Sequence, residues 1–245
     1  MKDFLDEQVQ LINNKAFITD DPVQFPRRYE RVQDIEIVAF TVSTIAWGKR
    51  SMILRSAERM LARMGESPYE YVMNETYENL EKANVHRTFF EPDLAFMLRG
   101  FKNIYANNES IDTFLQKNNV SNPWQIAAIL RNELVSANKS DSSRFLSANA
   151  EKSALKRLNL ALRWLVRNDG IVDLGVWKCL TPAQLYIPLD VHVGNVARRL
   201  GLLQRTQNDR HAVEELTAVL RSFCPADPVK YDYALFGIGV MEKAK

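Results

Sequence analysis

Cysteine is nearly absent from this 245-residue chain: Cys179 and Cys224 are the only two, and they form no C-x-x-C pair. A four-cysteine iron–sulfur cluster or zinc ribbon supplied by the chain alone is thereby excluded. Histidine is equally sparse, with His86, His192 and His211 far apart in sequence, a poor basis for a His-rich metal centre. No metal and no cofactor is expected, so chemistry would fall to side chains unaided. Long apolar runs are missing, both in the opening Met1-Lys2-Asp3-Phe4-Leu5-Asp6-Glu7 and beyond. Without a signal-peptide core or a membrane span, a cytoplasmic location and no membrane partner are expected. A strong charge excess is lacking too. The formal net charge is +2, so total charge does not argue for nucleic acid. Alternating strand patterns, internal repeats and low-complexity tracts are also absent.

What is present is 46% hydrophobic and 25% charged residues, enough for a substantial core. The apolar spacing is helical nearly throughout. Asp34–Ala46 is apolar almost all round and suits a buried helix, broken by Trp47-Gly48-Lys49; Met52–Met64 is amphipathic with its arginines outward. Further helices are expected over 92–107, 111–117, 123–137, 153–168, 190–200, 209–222 and 227–242. Asn122-Pro123, Thr181-Pro182 (a short turn through Tyr186) and Asp227-Pro228 act as start signals. The polar stretch near 140–150 is the best boundary between two helical lobes, 30–140 and 141–245, with residues 1–29 packing against the second. A ligand would sit in the cleft between them.

Basic residues concentrate from Arg144 to Arg205. Lys152, Lys156, Asn159, Arg163 and Arg167 recur at intervals of three or four and so share one helix face, while Leu155, Leu158, Leu162 and Leu165 point elsewhere. Such a stripe is either a solvated face or a reader of phosphates. Its positive charges would also depress the pKa of a lysine within it, as a nucleophilic amine requires. Lys156, the inner member, is the better candidate, since Lys152 looks more exposed.

Asp190, in Pro188-Leu189-Asp190-Val191-His192-Val193, precedes a helix rich in arginine. It reads as an N-cap and equally as a rigid, ionised carboxylate able to stabilise positive charge on a substrate. His192 is read as tying down local backbone. Asp232 sits inside a helix between two tyrosines, with Phe236 one turn on. Together they could hold a purine by hydrogen bonds and stacking, or be an arginine-paired core Asp and a packing ring. Ser43 and Trp47, ending the buried helix, could line the same cleft or simply pack.

Leu189-Asp190-Val191-His192-Val193, followed by Val196-Ala197-Arg198-Arg199-Leu200-Gly201-Leu202, resembles the V-D-T-H-V…R-L-G-L segment of the helix-hairpin-helix DNA glycosylase superfamily. Over nearly its whole length, from Asp21-Pro22-Val23-Gln24-Phe25-Pro26-Arg27-Arg28-Tyr29 to Asp227-Pro228-Val229-Lys230-Tyr231-Asp232, the chain also resembles a bacterial family known only as a domain of unknown function. The superfamily resemblance implies an all-α, two-lobe fold and Asp190 as the catalytic carboxylate. Its bifunctional members carry a Schiff-base lysine on the preceding helix. Lys156 lies 34 positions before Asp190, a separation similar to that of the archaeal 8-oxoguanine enzymes. By the same resemblance Asp232 and Phe236 fill the base-pocket positions. The implied activity is removal of an oxidised purine from DNA with strand cleavage, by a monomer. DNA contacts are expected from Lys152, Ser153, Arg163, Arg167 and Arg198.

The sequence departs from the superfamily where a glycine-rich hairpin should grip phosphate: Ser147-Ala148-Asn149-Ala150-Glu151-Lys152-Ser153 has no glycine. Ser153 and the free amides of the following helix could still bind a phosphate. Leu160 stands one turn after Lys156, where an aromatic would stack. A non-catalytic nucleic-acid-binding protein and a helical protein–protein adaptor are the competing expectations.

Overall fold

The computed structural model describes residues 1–79, 82–141, 145–146 and 149–241. Over these the chain is all-α apart from one small hairpin. In chain order come α1 (Lys2–Ile12), α2 (Lys15–Asp20), α3 (Val32–Thr44), α4 (Arg50–Met64) and α5 (Pro68–Met73), then β1 (Asn84–His86) and β2 (Phe89–Phe90). There follow α6 (Glu91–Tyr105), α7 (Ile111–Lys117), α8 (Pro123–Asn138), α9 (Lys156–Val166), α10 (Val191–Arg199), α11 (Arg210–Phe223) and α12 (Tyr231–Met241). The 140–150 boundary, Arg144, Ser147, Ala148 and the far end of the last predicted helix at Glu242 fall partly or wholly outside the described residues.

The start signals act as their chemistry dictates. Asn122 accepts from the amides of Trp124 and Gln125 ahead of Pro123 at the first helical position, and Asp209 accepts from Ala212 N. Thr181-Pro182 opens one 3-10 turn, Pro182–Gln184; Asp227-Pro228 opens another, Pro228–Lys230, that leads into α12, but Asp227 makes no cap bond and its carboxylate pairs with Arg167 instead. Other boundaries differ from the sequence pattern. Helices α1 and α2 carry few buried side chains (Leu5 and Val9 in α1, none in α2), and α5 is only six residues long, so their periodicity is faint. The hairpin spans too few residues for alternation to register. Helix α9 begins at Lys156 rather than Ser153, because Leu155 adopts a left-handed backbone, φ +49°, which an ordinary side chain occupies only at a cost.

Helix α3 is buried from Asp34 to Thr44 and packs against α9, while α1 and α10 both pack on α12, and α6 on α8. Fully buried Trp164, Phe40, Phe101 and Ile37 are among the largest core side chains, each stabilising by roughly 1.5–3 kcal/mol through removal of apolar surface from water. Gly237 lets α1 approach α12 closely, since a Cβ there would collide with Ile12 Cγ1.

Glu36 on α3 is the polar hub. Its carboxylate accepts from Tyr105 Oη (2.9 Å), Ile111 N (2.9 Å), Asp112 N (3.0 Å) and Trp177 Nε1 (2.8 Å). Asp112 in turn accepts from the amides of Lys178 and Cys179. One side chain thus ties the start of α7 and the 177–179 segment to the central helix.

Candidate active site

The C-terminal end of α3 meets the N-terminal end of α9 at an open cleft of about 1180 Å³, whose lining includes Asp21, Trp47, Lys156, Asp190, Asp232 and Phe236. Among the described residues, no group of three or more His, Cys, Asp and Glu side chains is placed to hold a metal ion.

Lys156 is the first residue of α9, set by the left-handed turn at Leu155. Its Nζ donates to the Ala46 carbonyl at 2.7 Å. Burial lowers the lysine pKa, because the ammonium form loses hydration. The carboxylates of Asp190, Asp232 and Asp21 pull the other way, and Arg157 adds a small lowering. The direction is the one expected from sequence and the cause is not: desolvation, rather than a stripe of cations, favours the neutral amine.

Asp190 caps α10. Its Oδ1 accepts from both His192 N and Val193 N, each at 2.9 Å. Oδ2 has no hydrogen bond within the described residues, so half of the carboxylate holds the helix and half remains for a ligand. The cap reading is therefore realised together with a place in the cleft. His192 is exposed at the rim.

Asp232 is buried and forms an ion pair with Arg163 through Oδ2. Burial raises its pKa to about 6 against the pull of Arg163, with Asp190 raising it further and Lys156 lowering it. Its Oδ1 forms no hydrogen bond among the described residues. Phe236 lines the cleft, but its ring is engaged: the Arg50 guanidinium lies 4.8 Å from its centroid, and Phe17 meets it edge-on at 5.9 Å. The arginine-paired reading of Asp232 is thus realised inside the cleft.

Four expectations need correction. Ser43 is fully buried and its Oγ donates to Phe40 O (3.1 Å), so it packs within α3 and does not line the cleft. Arg163 and Arg167 are 3% and 5% exposed. Arg163 pairs with Asp173 and Asp232, and Arg167 with Asp169, Asp173 and Asp227; guanidiniums so engaged are not available to phosphates. The helical stripe is therefore an internal ion network, and Lys152 lies in the 3-10 turn before α9 rather than on the helix. Arg198 closes the turn between α10 and α11 by donating to Arg205 O (2.7 Å) and Asn208 Oδ1 (2.6 Å), a structural role. Lys152 is exposed on the cleft lining. Ser153 also lines it, and its Oγ accepts from Leu155 N (3.2 Å), stabilising the turn that delivers Lys156.

Trp47 does line the cleft, with Arg157 Cζ 4.9 Å from the ring centroid. A residue that the sequence left unassigned holds it. Buried His86 contacts Trp47 O through Nε2 (2.8 Å) and Ser56 Oγ through Nδ1 (3.0 Å). A carbonyl only accepts, so Nε2–H donates to Trp47 O and fixes the ring against the end of α3. Asp21 was equally hidden, because Asp-Pro reads as a helix start. Its Oδ1 does accept from Val23 N (3.0 Å) in that role, yet its carboxylate also lines the cleft, its pKa raised by burial. Lys49, Arg50 and Arg87 complete the set missed in sequence.

No curated protein and no solved structure matches the chain. A family model described as a protein of unknown function (DUF2400) matches residues 21–241. That span takes in Asp21, Trp47, Lys156, Asp190 and Asp232 together with both faces of the cleft, and the chain belongs to this family.

Proposed function

We propose that the protein is a DNA glycosylase with lyase activity, of the two-lobe helix-hairpin-helix type, acting on an oxidised purine. The observation that carries the reading is a desolvated lysine, held by a backbone carbonyl, in one cleft with a helix-capping carboxylate whose second oxygen is uncommitted. Neutral Lys156 attacks C1′ of an extruded nucleotide, and the N-glycosidic electron pair leaves with the base. Asp190 Oδ2 offsets the positive charge that develops on the sugar. The attacking nitrogen passes one proton by way of the cleft carboxylates to O4′ as the C1′–O4′ bond opens to a protonated imine, and the departed base takes its proton from water. Loss of a C2′ proton then expels the 3′ phosphate, and water releases the lysine. Asp232 Oδ1 accepts from the ring N–H or exocyclic amine of the purine. Arg50 shifts from the Phe236 ring where the base stacks there.

Borohydride trapping on duplexes containing 8-oxoguanine or an abasic site tests this. A covalent adduct is expected with the wild type and with Lys152→Ala, and none with Lys156→Ala. Absence of an adduct on every lesion overturns the proposal in favour of a non-catalytic binder or an adaptor.

A further inference from the structure

Beside Lys152, which precedes α9, the cleft is lined by cations at the junction of α3 and α4 and on the tip of the hairpin. Lys49, Arg50 and Arg87 all line the cleft, Lys49 and Arg87 are exposed, and among the described residues none of the three pairs with a carboxylate. Two features of the backbone present Arg87. Its own φ is +52° at the hairpin turn. Gly48, at φ +96°, leaves room for the guanidinium to lie across the α3–α4 turn, where a Cβ would stand 2.6 Å from Arg87 Nη1. Any other residue at 48 is strained in backbone and would push the Arg87 guanidinium from its place. The junction thus keeps an arginine seated beside Lys49.

Lys49 and Arg87, exposed and without an ion-pair partner among the described residues, repel each other, and the cost is relieved by a bound polyanion; Arg50 is partly balanced by Asp21 and lies over the Phe236 ring. An open cleft lined by these cations, rather than a closed pocket, suits a chain of phosphates. We infer that Lys49 and Arg87, with Arg50 behind them, form a phosphodiester-binding wall for the nucleic-acid strand. On this inference, which rests on the function proposed above, the wall takes over the strand grip for which the 147–153 segment has no glycine.

The test is the salt dependence of binding to a duplex carrying a non-cleavable abasic analogue, measured for the wild type, Lys49→Ala, Arg87→Ala and the double variant. Each phosphate contact adds about 0.9 to the magnitude of the slope of log K against log salt. The double variant is expected to lose about 1.8 of that slope and at least tenfold in affinity at low salt, with melting temperature unchanged. Lys117→Ala, an exposed lysine away from the cleft, serves as the control and should bind as the wild type. A slope unchanged in the double variant overturns the wall while leaving the glycosylase reading to its own Lys156-dependent adduct. Loss of the adduct in Lys156→Ala alongside an unchanged double-variant slope separates the two ideas. A wild type that binds no nucleic acid overturns both, and equal loss in the control overturns the local assignment in favour of diffuse attraction.

Discussion

Asp190→Asn separates the two duties of one carboxylate. Asparagine caps a helix about as well as aspartate, and its Oδ1 can keep the two 2.9 Å bonds from His192 N and Val193 N. The stability change is then the loss of one negative charge at a helix N-terminus, about 0.3–1 kcal/mol. In a chain of this size that lowers Tm by roughly 1–4 °C. Chemistry should respond far more strongly. Removing one preorganised group that faces developing charge costs about 10²–10³ in rate, roughly 2.7–4 kcal/mol, so base excision should fall by that factor. The lyase step on a preformed abasic site has a different dependence. No base departs, and the Asp190 charge holds the Lys156 pKa up; removing it increases the neutral fraction of the amine. The variant should therefore trap on abasic DNA at near-neutral pH at least as efficiently as the wild type, while failing on 8-oxoguanine. Single-turnover excision, borohydride trapping and thermal melting on the same preparations make the comparison. Parallel loss of both activities, together with a Tm drop of 8 °C or more, would refute the catalytic role and leave only the cap.

Three further outcomes follow from the geometry. Glu36→Gln replaces one acceptor oxygen by an amide that must face at least one obligate donor among Ile111 N, Asp112 N and Trp177 Nε1; it should cost about 2–3 kcal/mol in urea unfolding, and a change under about 0.5 kcal/mol would contradict the hub. Because burial pushes the Asp232 pKa up from the ordinary 3.8 to about 6, the folded chain binds this proton more tightly than the unfolded chain. Its stabilising contribution is full below about 3.8 and lost as pH rises through 6. Binding of the purine through an ionised Oδ1 should improve over the same window, and Asp232→Asn should abolish that inflection in kcat/KM; persistence of the inflection would assign it elsewhere. Gly237→Ala forces α1 away from α12 at Ile12 and should destabilise by about 1–3 kcal/mol, much of it recovered when combined with Ile12→Ala; strict additivity of the two changes would show that the α1–α12 contact is not the cause.

The helical class and most start signals were legible because capping chemistry is local: Asn122, Asp190 and Asp209 each reach amides two or three residues on. The shared cleft of Lys156, Asp190 and Asp232 also followed from sequence. Direction was harder. A three-to-four spacing shows that Lys156, Asn159, Arg163 and Arg167 share a helix face, and says nothing about what that face meets. Beyond its cleft-facing first turns helix α9 is buried, with Leu158, Ala161, Leu162, Trp164 and Leu165 at 1% exposure or less, so Arg163 and Arg167 had to find partners indoors. Those partners come from three places, the 169–173 loop, Asp227 before the last helix, and Asp232 within it; no local pattern links them. Ser43 failed for a similar reason: position at a helix end does not reveal which way the side chain turns. Lys49, Arg50 and Arg87 are brought together only by the packing of the hairpin on α4.

The site must satisfy two demands that oppose each other. A reaction passing through positive charge gains from the carboxylates of Asp190, Asp232 and Asp21 around the cleft. The same three charges stabilise the ammonium form of Lys156 and so disfavour the nucleophile. Cations beside the amine would restore it at the expense of the transition state; Arg163 and Arg167 are held by Asp169, Asp173, Asp227 and Asp232, and Arg157 lowers the Lys156 pKa less than desolvation does. Desolvation resolves the conflict, because it penalises the charged resting lysine without removing the carboxylates that face the substrate. On the proposed reaction, the burial that outweighs all three in lowering the Lys156 pKa lets one cleft hold an amine ready to attack and a field ready for the charge that its attack creates.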